Sequence, residues 1–416
     1  MNNNIIIKNF SILKDIEFNL NKINIVIGDQ SQGKSTLAKL IYFFNTIIFL
    51  EARNAVMEEL KETEYLKRLE NIFNSIFPEN FWNDKPFEIT SFSSKSEKPL
   101  KIYTKNNKLK LQIPAKIYEN FKIMNDERKN NTAPPLKSMI KTLWEKFESI
   151  GTNVFIPAGR SYFSTLQSNI FSLLYLSHER KNNTIDYMLK SFGLVYEQAR
   201  QKYSYTISEK TNSAIKAEIQ NILKGEYIYK DKSDKLLMTN NKIIDLINSS
   251  SGQQEVLPII VTLIGILKDP LYAFRNRLFI IEEPEAHLFP SNQKKIIELF
   301  SLVHNLTNKK TKFFITTHSP YILSSFNNLI QAQNSYNAII NNKTYKPAVA
   351  KKKIAEIISY KKWLNFDDVS SYYLKDGYLK DINNYENKLI DENAIDGISD
   401  EIANEFGNLL NYEYGE

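Results

Sequence analysis

The chain of 416 residues has no cysteine, so disulfides, thiolate metal sites and cysteine redox chemistry are excluded. Its four histidines, His178, His287, His304 and His318, do not fall at a metal-ligand spacing. Long apolar runs are absent too. The longest, Val256 to Leu267, is too short to span a bilayer, which takes about 20 residues. The opening MNNNIIIKNF lacks the basic end and small-residue cleavage site of a signal peptide. A soluble cytoplasmic protein without a membrane partner is expected. Only twelve glycines occur in the whole chain, so two of them five positions apart attract notice.

Those two are Gly28 and Gly33, in Ile23-Asn24-Ile25-Val26-Ile27-Gly28-Asp29-Gln30-Ser31-Gln32-Gly33-Lys34-Ser35-Thr36. A β-branched strand runs into G-x-x-x-x-G-K-S, and a helical pattern (Leu37, Leu40, Ile41) follows. This is the phosphate-binding P-loop in the context it requires. The glycines let the backbone curl so that N–H groups point at phosphate oxygens, and the helix adds the positive end of its dipole. Lys34 is expected to reach the β- and γ-phosphates of ATP, and Ser35 to ligate Mg²⁺.

Two further strands end in polar residues. In Arg277-Leu278-Phe279-Ile280-Ile281-Glu282-Glu283-Pro284-Glu285, four apolar residues predict a buried parallel strand. Its carboxylates fall at the carboxyl end, where open α/β sheets bind ligands. Glu282 is expected to hold Mg²⁺ through water, and Glu283 to orient or deprotonate the attacking water. Lys312-Phe313-Phe314-Ile315-Thr316-Thr317-His318-Ser319-Pro320 repeats the pattern, with His318 placed to hydrogen-bond a γ-phosphate. In a fourth stretch, Ser249, Ser250, Ser251, Gly252, Gln253 and Gln254 precede an apolar helix. The serines suit an N-cap, and Gly252 suits close approach of a phosphate.

P-loop, S-S-G-Q, E-E-P-E and T-T-H-S-P in this order resemble the ABC-type ATPases, in the branch of RecF, SMC and Rad-type proteins. The Glu282-Glu283-Pro284-Glu285 string is most similar to ATPases of the overcoming-lysogenization-defect class. The resemblance implies an α/β fold: an ABC-type P-loop ATPase head with a mixed sheet core, an antiparallel β subdomain and a helical insertion. It also implies that two heads sandwich ATP, the P-loop of one (Gly28 to Thr36) facing Ser250, Ser251, Gly252 and Gln253 of the other. A homodimer or higher homo-oligomer follows.

This sequence departs from the pattern at Ser31, where a small glycine is usual, and at Gln30, where Asn is common. No glutamine-loop motif is visible. Phe155-Ile156-Pro157-Ala158-Gly159-Arg160-Ser161 occupies its place, so Arg160 or Gln167 could sense Mg²⁺ or γ-phosphate, or be structural. Phe10 could lie near the adenine or belong to the core.

The expected division is 1–50 with 225–335 as the ATPase core, 51–150 as an inserted helical and β segment, 151–224 as a strand with a helical subdomain, and 336–416 as a C-terminal extension. A loop over 125–135, a helix near 136–149, and hairpins at 100–113, 225–238 and 372–379 are expected. Residues 381–416 carry ten acids and one lysine, a net −9, which leaves +16 on residues 1–380. Its acids are interspersed with Ile390, Ile395 and a helical stripe of Ile398, Ile402, Phe406, Leu409 and Leu410, which makes this tail a candidate interaction element. The basic body could bind DNA directly. Proteins of the overcoming-lysogenization-defect class usually carry a Toprim nuclease. The 98 residues after His318 hold no Asp-x-Asp pair, so no nuclease is expected here. The chain is then similar to ATPase subunits of two-gene anti-phage systems of the PARIS or Septu type, which implies a separate effector protein. A DNA-repair ATPase and a transport ATPase are the alternatives.

Overall fold

The computed structural model describes residues 4–83, 85–92, 99–114, 153–165, 186–203, 212–268, 276–391, 404–407 and 409. The expected loop at 125–135, the helix near 136–149 and Gln167 lie outside them.

Strands β1 (Asn4–Phe10), β2 (Leu13–Asn19) and β3 (Ile23–Ile27) lead into helices α1 (Lys34–Tyr42), α2 (Ile48–Met57) and α3 (Glu62–Ile76). Strands β4 (Glu88–Phe92), β5 (Leu100–Lys105), β6 (Lys108–Gln112) and β7 (Val154–Ile156) follow, then helices α4 (Tyr162–Thr165), α5 (Tyr187–Tyr203) and α6 (Asn212–Leu223). Next come β8 (Gly225–Lys230), β9 (Ser233–Met238), β10 (Ile243–Asp245), α7 (Ser251–Leu267), β11 (Arg277–Glu282), α8 (Pro290–Leu306) and β12 (Thr311–Thr317). The described chain closes with α9 (Pro320–Asn341), α10 (Pro347–Ala355), β13 (Val369–Lys375), β14 (Tyr378–Asp381), β15 (Asn383–Asn384) and β16 (Leu389–Ile390).

Eleven strands form one mixed sheet in the order β6-β5-β4-β1-β2-β14-β13-β3-β12-β11-β7. β13, β3, β12, β11 and β7 run parallel, and β6 to β2 form an antiparallel wing. β3, β7, β11 and β12 are buried on both faces, as their continuous apolar runs require, while β13, with the sequence VSSYYLK, is only partly buried. Ile23, Ile25, Ile27, Phe279, Ile281, Phe313 and Ile315 face one hydrophobic core with α7 and α8. Val26, Leu278, Ile280 and Phe314 face a second core with α1, α2 and α3. The alternation follows from the two-residue period of a strand.

Three expected hairpins form. Their turns hold paired left-handed residues, Asn106-Asn107, Asp231-Lys232 and Asp376-Gly377, the conformation that two-residue hairpins need. Phe10 is fully buried against Phe77 and Phe87 at ring-centroid distances of 5.3 and 4.8 Å, so it belongs to the core and not to an adenine site.

One expectation changes. The segment 336–416 is not wholly an extension, because β13 pairs in parallel with β3 and borders the P-loop strand. Among the described residues one helical stretch, Lys34–Met57, has the length to cross a membrane, at 24 residues, and its most apolar 18-residue window has a mean hydropathy of 1.2. Of that window 67% is buried inside the fold, as befits a core helix. Of the C-terminal stripe, Phe406 and Leu409 lie among the described residues and are 62% and 66% exposed. Ile390, by contrast, is buried against α9.

Candidate active site

Parallel register assembles the site. β3, β12 and β11 are neighbours, with Ile27 opposite Thr317 and Glu282 opposite Thr316. The P-loop, the acidic pair and His318 therefore emerge from adjacent strand ends. This is the edge at which open α/β sheets bind ligands.

Gly33 is left-handed (φ 96°) and caps α1. Ser31 also takes a left-handed φ of 63°, at the position where glycine would be unstrained. Gly28 has a different reason: a Cβ there would stand 2.3 Å from the Leu374 carbonyl oxygen of β13. The hairpin that follows reaches the loop directly, since Asp376 N donates to Gln32 Oε1 at 2.7 Å.

Lys34 is buried, and its ammonium donates to the carbonyls of Gly28 (2.7 Å) and Asp29 (2.8 Å). Burial pulls its pKa down, opposed by the charges of Glu283, Glu285 and Asp29. The ammonium also lies 3.2 Å from His318 Nδ1, and His318 Nε2 lies 3.1 Å from Glu283 Oε1. An ammonium can only donate, so Nδ1 accepts and Nε2 carries the proton given to Glu283. Lys34, His318 and Glu283 thus form one hydrogen-bonded chain across three strand ends.

Glu285, absent from the expected site list, holds this arrangement. One of its oxygens accepts from Thr317 Oγ1 (2.7 Å) and from His318 N (2.8 Å), and burial raises its pKa. The sequence signal was its place in the E-E-P-E string.

Glu282 is 5% exposed, and burial raises its pKa above the ordinary carboxylate value, against the pull of a Ser35 hydrogen bond. Its Oε2 accepts from Ala158 N at 3.3 Å, and its Oε1 is buried with no hydrogen-bond partner. A buried orphan oxygen beside the Ser35 hydroxyl fits a hard cation such as Mg²⁺, which usually takes one or two protein ligands and completes its shell with water and phosphate. Ser35 and Glu282 would hold it.

Of the roles open to Arg160, its placement matches the structural one, since it is fully buried and points inward. Its guanidinium donates to the carbonyls of Pro157 (2.7 Å), Glu282 (2.6 Å), Glu283 (2.8 Å) and Glu255 (3.1 Å). With those bonds made, it braces the acidic turn from behind and is not aimed at a phosphate.

The Ser250–Gln253 stretch forms a capping box at the start of α7. Ser250 Oγ accepts from Gln253 N (3.3 Å), and Gln253 Oε1 accepts from Ser250 N (3.0 Å). The close approach at Gly252 is to the chain itself, because a Cβ there would lie 2.9 Å from the His287 carbonyl oxygen. Ser250, Ser251, Gly252 and Gln253 line a cavity of about 290 Å³ together with Lys224 and His287. Lys224 was missed: a lone lysine between a helix and a strand carries no motif. None of the lining residues belongs to the P-loop.

The family model described as "AAA domain, putative AbiEii toxin, Type IV TA system" matches residues 23–324, and the chain belongs to that family. Its ATPase domain carries the P-loop and acidic strand described above. No curated protein matches the chain. Among solved structures, an SMC head bound to the C-terminal winged-helix domain of ScpA is similar at 11% identity and TM-score 0.43, covering 91% of this chain and 96% of that one. An SMC head with an extended coiled coil, bound to the C-terminal domain of ScpA derived from Pyrococcus furiosus, matches at 10% identity and TM-score 0.39, covering 91% and 95%. The recombination mediator RecF with a bound ATP analogue matches at 14% identity and TM-score 0.35, covering 92% and 98%.

Proposed function

We propose that this chain is an ATP-hydrolysing head that assembles with a second copy through ATP. The P-loop of one copy would grip the nucleotide and the Ser250–Gln253 face of the other would close over its γ-phosphate. In this role the head acts as sensor or scaffold for a separate effector nuclease in anti-phage defence, as ATPases of the overcoming-lysogenization-defect class and the PARIS and Septu types suggest. The observation that carries the reading is the Lys34–His318–Glu283 chain, held apart from the capped α7 cavity. One chain thus offers two incomplete halves of a site, and two copies supply a whole one. The toxin named in the family description supports a defence role.

The chemistry follows from the residues. Lys34 would leave the Gly28 and Asp29 carbonyls for the phosphates. Water attacks the γ-phosphorus, the bond to the bridging β-oxygen breaks, and the water's proton passes to Glu283. The Nε2 proton of His318 is free to move from Glu283 to a γ-phosphate oxygen. Mg²⁺ between Ser35 and Glu282 would neutralise the developing charge on the phosphates.

Lys34→Ala tests the reading. Nucleotide affinity should vanish by calorimetry while the circular dichroism spectrum and melting profile persist. Unchanged ATP affinity would overturn the site.

A second reading, direct DNA binding as in SMC- or RecF-like repair, is favoured by one surface. Exposed Lys343, Lys346, Lys351, Lys352, Lys353 and Lys361 cluster around α10. Lys351 sits 3.7 Å over the ring of Tyr360, and Lys353 sits 4.1 Å over that of Tyr345. Lysines neutralising phosphates release counterions, so DNA affinity should fall steeply with salt, by about 0.9 in log–log slope per contact. Affinity indifferent to salt, or to Ala at Lys351, Lys352 and Lys353, would dismiss it.

A further inference from the structure

We infer that Glu255 and Arg160 form a buried relay, which carries engagement of the Ser250–Gln253 face to the Glu282–Glu283 turn of the same subunit. The inference rests on the two-copy reading above and adds to it the direction of control. A head's own hydrolysis would wait until its α7 face meets the partner's nucleotide.

The first link is at the helix. Ser250 to Gln253 lie at the exposed start of α7, and Glu255, one position beyond Gln254, is 1% exposed. A helix turn moves as a rigid unit, so displacement of the capped end displaces Glu255. The Glu255 carboxylate accepts from Arg160 N and Ser161 N, both at 3.0 Å, and stands 3.5 Å from Arg160 Nε. Arg160 Nε also donates to the Glu255 carbonyl at 3.1 Å. Helix and loop are therefore locked by four interactions, three of them buried and the Ser161 bond partly so.

The second link is at the chemistry. The far side of the same guanidinium holds the carbonyls of Glu282 and Glu283 at 2.6 and 2.8 Å. Glu283 needs holding, because it is a non-glycine residue in the left-handed region at φ 44°. Such a conformation persists only where the surroundings over-determine it. Its orientation decides where the Glu283 carboxylate points, and the carboxylate is 3.1 Å from His318. Charged hydrogen bonds in a dry interior are strong and directional, so movement at α7 is passed on and not absorbed. Arg160 and Glu255 touch no phosphate and are positioning residues.

The test uses the full chain. Glu255→Gln removes the charge and one of the two carboxylate acceptors while keeping the size. Nucleotide affinity and ATP-dependent assembly, read by calorimetry and light scattering, should stay within about twofold of wild type. Turnover should fall by about 100-fold, the scale of a small misplacement of a catalytic group, with KM unchanged. Turnover per head should also stop rising with protein concentration, although assembly still occurs. Arg160→Lys keeps the charge but cannot span both carbonyls, and the same split is expected if Glu255→Gln does not fold. Asp234→Asn is the control. It breaks the buried Arg200–Asp234 pair, which has no contact with the acidic turn, and should lower the melting temperature without uncoupling turnover from assembly. Stimulation by assembly that survives in both Glu255→Gln and Arg160→Lys overturns the relay, as does equal uncoupling in Asp234→Asn. Failure of the two-copy reading shows elsewhere, as a wild-type protein that does not assemble with ATP, and it would take the relay with it.

Discussion

Glu282→Gln should make the nucleotide-free protein more stable and the ATP-bound protein relatively less so. The carboxylate stands at the end of β11, 5% exposed, with Oε1 buried and unpartnered. Burial raises its pKa above the ordinary 4.5. With the folded value above the unfolded one, the folded state binds the proton more tightly. The stability this gives is fully present below the unfolded value and is lost as pH rises through the folded value. At pH 8 the ionised group therefore burdens the fold. Burying a polar group short of partners costs about 1–3 kcal/mol, and more when it is charged; the amide removes the charge and can keep the Ala158 bond through its oxygen. Unfolding entropy of about 2.1 cal/mol/K per residue, over a chain this long melting as one unit, converts 1 kcal/mol to roughly 1 °C. The variant should melt about 1–3 °C higher at pH 8 without nucleotide, and the gain should shrink as pH approaches 4.5.

Magnesium and a slowly hydrolysed ATP analogue should reverse the order. At a hundredfold excess over Kd, ligand binding adds about 2.7 kcal/mol, or roughly 3 °C here, to wild type. The variant lacks the carboxylate that would hold the cation and should gain less. Differential scanning calorimetry at two pH values, with and without the magnesium complex, reads the crossover. A variant that melts lower than wild type in the absence of ligand, or one that gains the same ligand shift, would refute the reasoning.

Glu283→Gln should keep nucleotide affinity, lower hydrolysis by about 10²–10⁴-fold and accumulate the assembled form, because the amide cannot take the water's proton; wild-type turnover in a phosphate-release assay would remove Glu283 from that role. Ser251→Arg should leave ATP binding at the P-loop intact and block assembly, since the added side chain occupies the α7 cavity; normal ATP-dependent light scattering would count against a shared site.

The elements legible in the sequence were those whose partners are neighbours in the chain. Ile23 to Thr36 announced a strand, a tight turn and a helix within fourteen residues, and the structure supplies β3, a left-handed Gly33 and α1. Arg277–Glu282 and Thr311–Thr317 were legible as strands because their apolar runs are too continuous for a solvated face. What stayed hidden was long-range pairing. Nothing in Val369–Lys375 says that it lies beside β3, almost 350 residues earlier, yet that contact explains Gly28, which has no room for a Cβ against Leu374. Arg160 was hidden for a deeper reason. Its hydrogen-bond partners are main-chain carbonyls, which every residue type provides, so no motif can encode them. The visible trace was on the other side of the pair. Glu255 opens the apolar stretch Val256–Leu267, and an ionisable group at the head of a buried helix must find a cation or stay neutral. Arg160 supplies the cation, 3.5 Å from the Glu255 carboxylate, and with both side chains buried the guanidinium's remaining donors must be satisfied by whatever backbone lies behind them. Here that backbone is the turn that carries Glu282 and Glu283.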